Sequence, residues 1–172
     1  MQEIFIKRHI DKRKILIGII IAACIALYTY SYLRVPRVTQ ILQTSITTLT
    51  PQLLFEKQPI VIEEGIVDPT ALIGTVFKYL AFDFFGKPQI QVATSGVSLQ
   101  QTQHRYTILT CAYGGEVDIF HPKYTAVIKT SNAQFITIRL AAHQPLILPK
   151  HWWFQIKANN NGPCKVIRIT GI

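Results

Sequence analysis

The stretch ILIGIIIAACIALYTYSYL, residues 15–33, sets the architecture of this chain, and its 19 positions carry no charged side chain. As an α-helix they span roughly 28 Å at about 1.5 Å per residue, close to the hydrocarbon thickness of a bilayer. Lys7, Arg8, Lys12, Arg13 and Lys14 precede the run, and Arg34 and Arg37 follow it. Tyr28, Tyr30 and Tyr32 crowd its C-terminal end, where amphipathic rings favour the headgroup level. The reading is a single N-terminal transmembrane helix, with Ile15, Leu16, Ile19, Ile20, Ile21, Ile25, Leu27 and Leu33 as the anchor. A cleaved signal peptide has a shorter apolar core, about 7–15 residues, and a small-x-small cut site. The segment LYTYSY at 27–32 offers none. A buried core helix fits poorly with apolar residues on every face and a dense basic flank. Five basic against two acidic residues in positions 1–14 favour a cytoplasmic N-terminus.

Outward from this span, positions 1–14 form a basic segment, 34–50 a stalk and 51–172 a globular domain. The 172-residue chain carries a net charge of +9. Residues 1–34 hold six basic and two acidic side chains, a net +4, which leaves +5 on the remainder. A mildly basic domain suits anionic lipid or acidic proteins. No dense Lys/Arg tract interleaved with aromatics occurs, so no specific nucleic-acid partner is expected. Of the three cysteines, Cys24 lies in the apolar span. Cys111 and Cys164 fall in expected strands and can pair only if those strands are neighbours. The expectation is two buried free thiols.

The Pro36 ring closes the span by disfavouring helix in the residue before it. Val38, Ile41, Leu42, Ile46, Leu49 and Leu53 are spaced near a helical period, which predicts a partly helical stalk. Pro59 to Ile62 reads as a short β-branched strand. Asp68-Pro69 reads as an N-cap and first helical position, opening a helix over 69–80 with Leu72, Ile73, Val76, Phe77 and Leu80 on one stripe. Short strands follow at 90–92, 105–112, 116–120, 124–129, 134–140, 146–148, 152–157 and 165–169, separated by turn residues such as Gly114-Gly115 and Asn159 to Pro163. The pattern predicts a mainly β domain, a small jelly roll or β-sandwich with one or two short helices.

The run Leu146-Ile147-Leu148-Pro149-Lys150-His151-Trp152-Trp153-Phe154-Gln155-Ile156 resembles the late-strand motif of JmjC-like cupins, and Phe55 to Ile62 is similar to that family's opening segment. The resemblance loosely covers 51–170 and implies a cupin-like barrel. In active members a His-x-Asp/Glu pair and a distant His hold iron, which works with 2-oxoglutarate, leaving coordination positions open. This chain departs at each such position. Phe154 stands where the distant histidine should be, and His104, His121, His143 and His151 are not followed two residues on by a carboxylate. These histidines read as turn or surface residues. No phosphate loop, Cys-x-x-Cys or nucleophile elbow occurs. Glu116 and Asp118 share a strand face and read as solvent-facing.

The expectation is therefore no catalytic residue, no cofactor and no metal. One membrane helix joined to a degenerate cupin-like domain resembles minor capsid components of large nucleocytoplasmic DNA viruses. That resemblance implies a structural protein tying an internal virion membrane to capsid-type proteins, with homo-oligomers as an option. The alternatives are a membrane-bound oxygenase of the cupin group, or a membrane adaptor or sugar-binding sandwich. Trp152 and Trp153 alternate on a strand, so one packs inward and the other outward. With Lys150, Lys157, Lys165 and Ile172 they form the expected partner-facing patch.

Overall fold

The computed structural model describes residues 12–36, 38–75, 89–95, 98–125, 133–157 and 163–170. It divides into residues 1–35 and residues 36–172. The first unit is helix α1, Lys12–Leu33. Its 18-residue window Arg13–Tyr30 is long and apolar enough to cross a membrane, and none of it is buried against protein. Ile19, Ile20, Ile21, Ile25 and Leu27 are all more than half exposed, as a lipid-facing helix requires. The Thr29 hydroxyl donates to the Ile25 carbonyl at 2.8 Å, so this polar group needs no water.

The second unit is mainly β. Its strands are β1 Leu42–Thr44, β2 Ile60–Ile62, β3 Gln89–Ser95, β4 Gln100–Gln101, β5 Tyr106–Cys111, β6 Gly115–Phe120, β7 Phe135–Leu140, β8 Leu146–Pro149, β9 Trp153–Ile156 and β10 Cys164–Thr170. Two short helices, α2 Pro51–Phe55 and α3 Ala71–Thr75, lie between the early strands. One sheet has the order β1-β2-β8-β5-β10-β3 and the other β4-β9-β6-β7. From β3 to β10 the chain changes sheet at every step except β6 to β7, which pair as neighbours, so that β3-β10-β5-β8 faces β4-β9-β6-β7. This is the double Greek-key arrangement of a jelly roll. Strands β2 and β1 widen the first sheet beyond β8.

Strand alternation explains two separate cores. Leu109, Leu146, Leu148 and Val166 of the first sheet point between the sheets, where they meet Val117, Ile119, Ile138, Phe154 and Ile156 of the second. The intervening residues Tyr106, Ile108, Ile147, Ile167 and Ile169 point the other way and are covered by Leu54 of α2, Leu72 of α3 and partly buried Leu42, Ile46 and Leu49. Strand β5 is therefore buried along its whole length, which is why it reads as a near-continuous apolar and Thr run. The buried Tyr106 hydroxyl donates to the Leu54 carbonyl at 3.0 Å and fixes α2 on this second core.

Three local readings change. Residues 42–44, expected within a partly helical stalk, pair in parallel with β2. The Ser/Thr side chains after them bond locally instead of tolerating helix: Thr44 Oγ1 lies 2.8 Å from Thr48 Oγ1, and Ser45 Oγ 2.7 Å from Thr47 Oγ1. Upstream, the buried Gln58 amide donates to the Val38 carbonyl at 2.8 Å and accepts from the Gln40 N–H at 3.1 Å, so the chain from Val38 onward is already tied to the β domain. The Asp68 cap is present: its carboxylate accepts from Thr70 N–H and Oγ1 at 3.1 and 2.6 Å, which lowers its pKa. Helix α3 is described to Thr75, and the rest of the expected 69–80 helix lies outside the described residues. So does most of the strand expected at 124–129, where Pro122–Tyr124 form a single 3₁₀ turn instead.

The expected free thiols are a disulfide, Cys111–Cys164. The register of β10 on β5 sets these two residues directly opposite each other on the inward face, with Cα atoms 4.0 Å apart. That separation is short for a bridge, whose Cα atoms usually lie about 4.4–6.8 Å apart, and well within the limit of about 7 Å beyond which no bridge can form. The following turn is built around it. Gly114 adopts φ +81°, and a Cβ on Gly115 would lie 3.2 Å from Cys111 Sγ.

Candidate interaction face

Alternation on the four-stranded sheet sends one set of side chains outward. Register aligns them in rows across β7, β6 and β9. Phe135, Phe120 and Trp153 form one row, and Thr137, Asp118 and Gln155 the next. Arg139 and Glu116 follow, with the Lys157 N–H on the Glu116 carbonyl at 2.9 Å. Phe135 is 53% exposed, while Phe120 and Trp153 are half-buried. The two phenyl rings lie 5.5 Å apart at 46°. The Trp153 indole N–H donates to Thr125 Oγ1 at 3.2 Å, so its orientation is fixed. Strand β7 is the last of this sheet among the described residues, and its edge brings Ile136 to 38% exposure as well.

Beside the aromatic row lies a charge-balanced network. Lys157 Nζ sits 3.0 Å from Asp118 and 3.9 Å from Glu116, and Arg139 pairs with Glu116 at 3.0 Å. Thr137 Oγ1 donates to Asp118 at 2.6 Å. Asp118, expected to face solvent, is buried under these partners, because Lys157 and Thr137 close over it. Lys157 Nζ also lies 5.7 Å from the Phe135 ring centroid. The sheet thus presents an aromatic strip beside charges that are internally compensated.

The patch drawn from sequence is not one surface. Trp152 is fully buried in the inter-sheet core, its indole N–H donating to the Lys57 carbonyl at 3.1 Å, so it is a core residue and not a partner contact. Trp153, its outward neighbour, does lie on the face. Lys157 belongs to the ion-pair network, and Lys150 sits in the turn between β8 and β9. Lys165 is exposed on β10, in the opposite sheet, on the side away from the inter-sheet core. Ile172 lies outside the described residues. Phe120 and Phe135 were legible only as strand residues; cross-strand register, invisible in one sequence, makes them a row.

The histidines divide. His143 and His151 occupy turns at positive φ, 60° and 75°. His121 is buried, its Nδ1 accepting the Lys123 N–H at 3.1 Å and its ring edge-on to Trp152 at 5.2 Å. It is a capping core residue, because its Nδ1 caps the 3₁₀ turn Pro122–Tyr124 while its ring packs on the buried Trp152. Burial pushes its pKa down; the Pro36 carbonyl opposes this and Lys123 adds to it. Burial likewise lowers His104 and His151, followed in both by nearby cations. Each is more readily protonated in the unfolded chain. Stability is therefore present above the ordinary histidine pKa of about 6.5 and falls as pH drops below it. Denaturation of the full chain in detergent should give a lower midpoint at pH 5 than at pH 7.5. His121→Asn keeps the acceptor but cannot charge, so its pH slope should be shallower; an unchanged slope would place the acid sensitivity elsewhere.

Among the described residues no three His, Cys, Asp or Glu side chains come together. Phe154, at the position where the cupin resemblance places a histidine, is buried between the sheets. No protein-family model matches the chain, and no curated protein matches it.

Proposed function

We propose that this is a non-enzymatic structural tether: α1 holds the chain in a membrane, and the jelly-roll domain grips another protein through the outer face of β9-β6-β7. The observation that carries this reading is the Phe135–Phe120–Trp153 row, an oriented aromatic strip at a sheet edge. Aromatic anchors of this kind dominate interface energetics. The sided arrangement of the chain supports the same reading. The basic segment before α1 favours the cytoplasmic side, and a disulfide in the domain beyond it suits an oxidising one. The favoured setting is a virion, with the domain between an internal membrane and a capsid-type shell, as the sequence's design resembles.

Extraction of native membranes with non-ionic detergent tests this. The full chain should sediment with the insoluble protein layer after its lipid is removed, and Phe135→Glu should shift most of it to the soluble fraction. A Phe135→Glu chain that sediments as before removes this face from the interface. A wild-type chain wholly soluble in detergent, attached to no protein layer, overturns the tether.

A further inference from the structure

The inward positions of β10 run Cys164, Val166 and then Arg168. The first two fill the inter-sheet core, but the third places a permanent cation at an inward position. Around it the sandwich opens into a cavity of ≈ 400 Å³, at the small end of ligand pockets. Buried Thr107 lies directly opposite Arg168 on β5. Gln100, opposite the buried Phe154 on the other sheet, accepts from Arg168 Nη2 at 3.3 Å. Gln101, Gln103 and His104 complete the polar wall. None of the lining residues is acidic, and among the described residues no carboxylate lies within salt-bridge distance of Arg168.

A guanidinium drawn in from solvent is costly unless an anion compensates it, and a neutral amide is a poor substitute. The guanidinium fork matches the two oxygens of a carboxylate or phosphate. The side-chain amides of Gln100, Gln101 and Gln103 and the Thr107 hydroxyl both donate and accept, which suits a body bearing several hydroxyls. Burial, then Arg168 and Lys150, lower the His104 pKa, so the site already resists a second positive charge. We propose that this cavity binds a small anionic sugar, a sugar acid or sugar phosphate, with its oxyanion on Arg168 and its hydroxyls on the glutamine amides. The site is separate from the aromatic face and does not depend on the tether.

The full-length protein in detergent micelles, titrated calorimetrically with glucuronate and with glucose 6-phosphate, tests the assignment. The two probes separate the carboxylate and phosphate sources, and glucose and inorganic phosphate serve as partial ligands. Saturable binding of one equivalent of either anionic sugar is expected, tighter than both partial ligands. Arg168→Met should weaken it on the order of ten- to a hundredfold, the size of a lost charge-assisted contact. Lys165→Met, on the same strand but outside the cavity, should bind as wild type. Gln100→Ala should weaken binding severalfold, and decides the matter if the Met variant does not fold. Absence of saturable binding by both sugars, equal binding of glucose, or unchanged affinity in the folded Arg168 or Gln100 variant overturns the proposal.

Discussion

The full chain carrying both Ile20→Arg and Ala23→Arg is expected to be released from membranes by alkaline carbonate, whereas the wild type stays embedded. Both positions lie near the middle of α1, where no protein covers the helix. Each central arginine costs about 2.5–3.5 kcal/mol on insertion scales, so the pair removes about 5–7 kcal/mol. The Ile-rich window should not tolerate such a loss, because in a bilayer its apolar side chains, distributed around the helix, would supply the favourable transfer. Replacing the same residues by Leu should change nothing. A doubly charged chain that remains carbonate-resistant would show that α1 is not the anchor.

Loss of the Cys111–Cys164 bridge is the second large effect. The bonded cysteines are separated by 53 residues. Chain-entropy arguments give about 4 kcal/mol for closing a loop of that size. Cys111→Ser/Cys164→Ser also leaves two hydroxyls in the apolar core beside Val166 and Leu109. The double variant should show a denaturation midpoint lowered by a corresponding amount, and the wild type in excess reductant should move in the same direction. A double variant within about 1 kcal/mol of wild type would mean that the bridge constrains little beyond what the β-sheet framework already holds.

These expectations rest on features of unequal legibility. Residues 15–33 are readable because a bilayer imposes length and apolarity on a contiguous segment. Strands β7 and β10 are readable because alternation is local, β5 and β8 because short apolar and β-branched runs are bounded by turn residues, and alternation also separates Trp152 from Trp153. Many short strands punctuated by turns make a jelly roll or sandwich legible, but not the strand orders β3-β10-β5-β8 and β4-β9-β6-β7. Tertiary register is what the linear pattern conceals. Cys111 and Cys164 face each other because β10 lies on β5 in one frame, and a one-residue slip would turn them to opposite faces. The same frame sets Arg168 against Thr107, while Gln100 and His104 reach that cavity from β4 and the loop after it. Likewise Phe120 meets Phe135 and Trp153 only across strands. Strand β1 was hidden for a different reason: its few residues carry no period, and the neighbouring Thr and Ser form side-chain turns that a helical spacing of Ile41, Leu42 and Ile46 obscures.

Whether a disulfide-closed jelly roll is held on the oxidising side of a membrane is tested most directly by thiol state in native membranes. Free thiols are blocked at lysis with a small maleimide, disulfides are then reduced, and the newly exposed thiols are tagged with a maleimide-linked polymer that shifts the chain on a gel. Of the three cysteines, Cys24 has no partner and lies in α1, while Cys111 and Cys164 are bonded. The predicted result is a chain that takes up two polymer tags only after reduction. A chain that gains no tag after reduction, with Cys111 and Cys164 already blocked at lysis, would place the domain in a reducing compartment and contradict this arrangement.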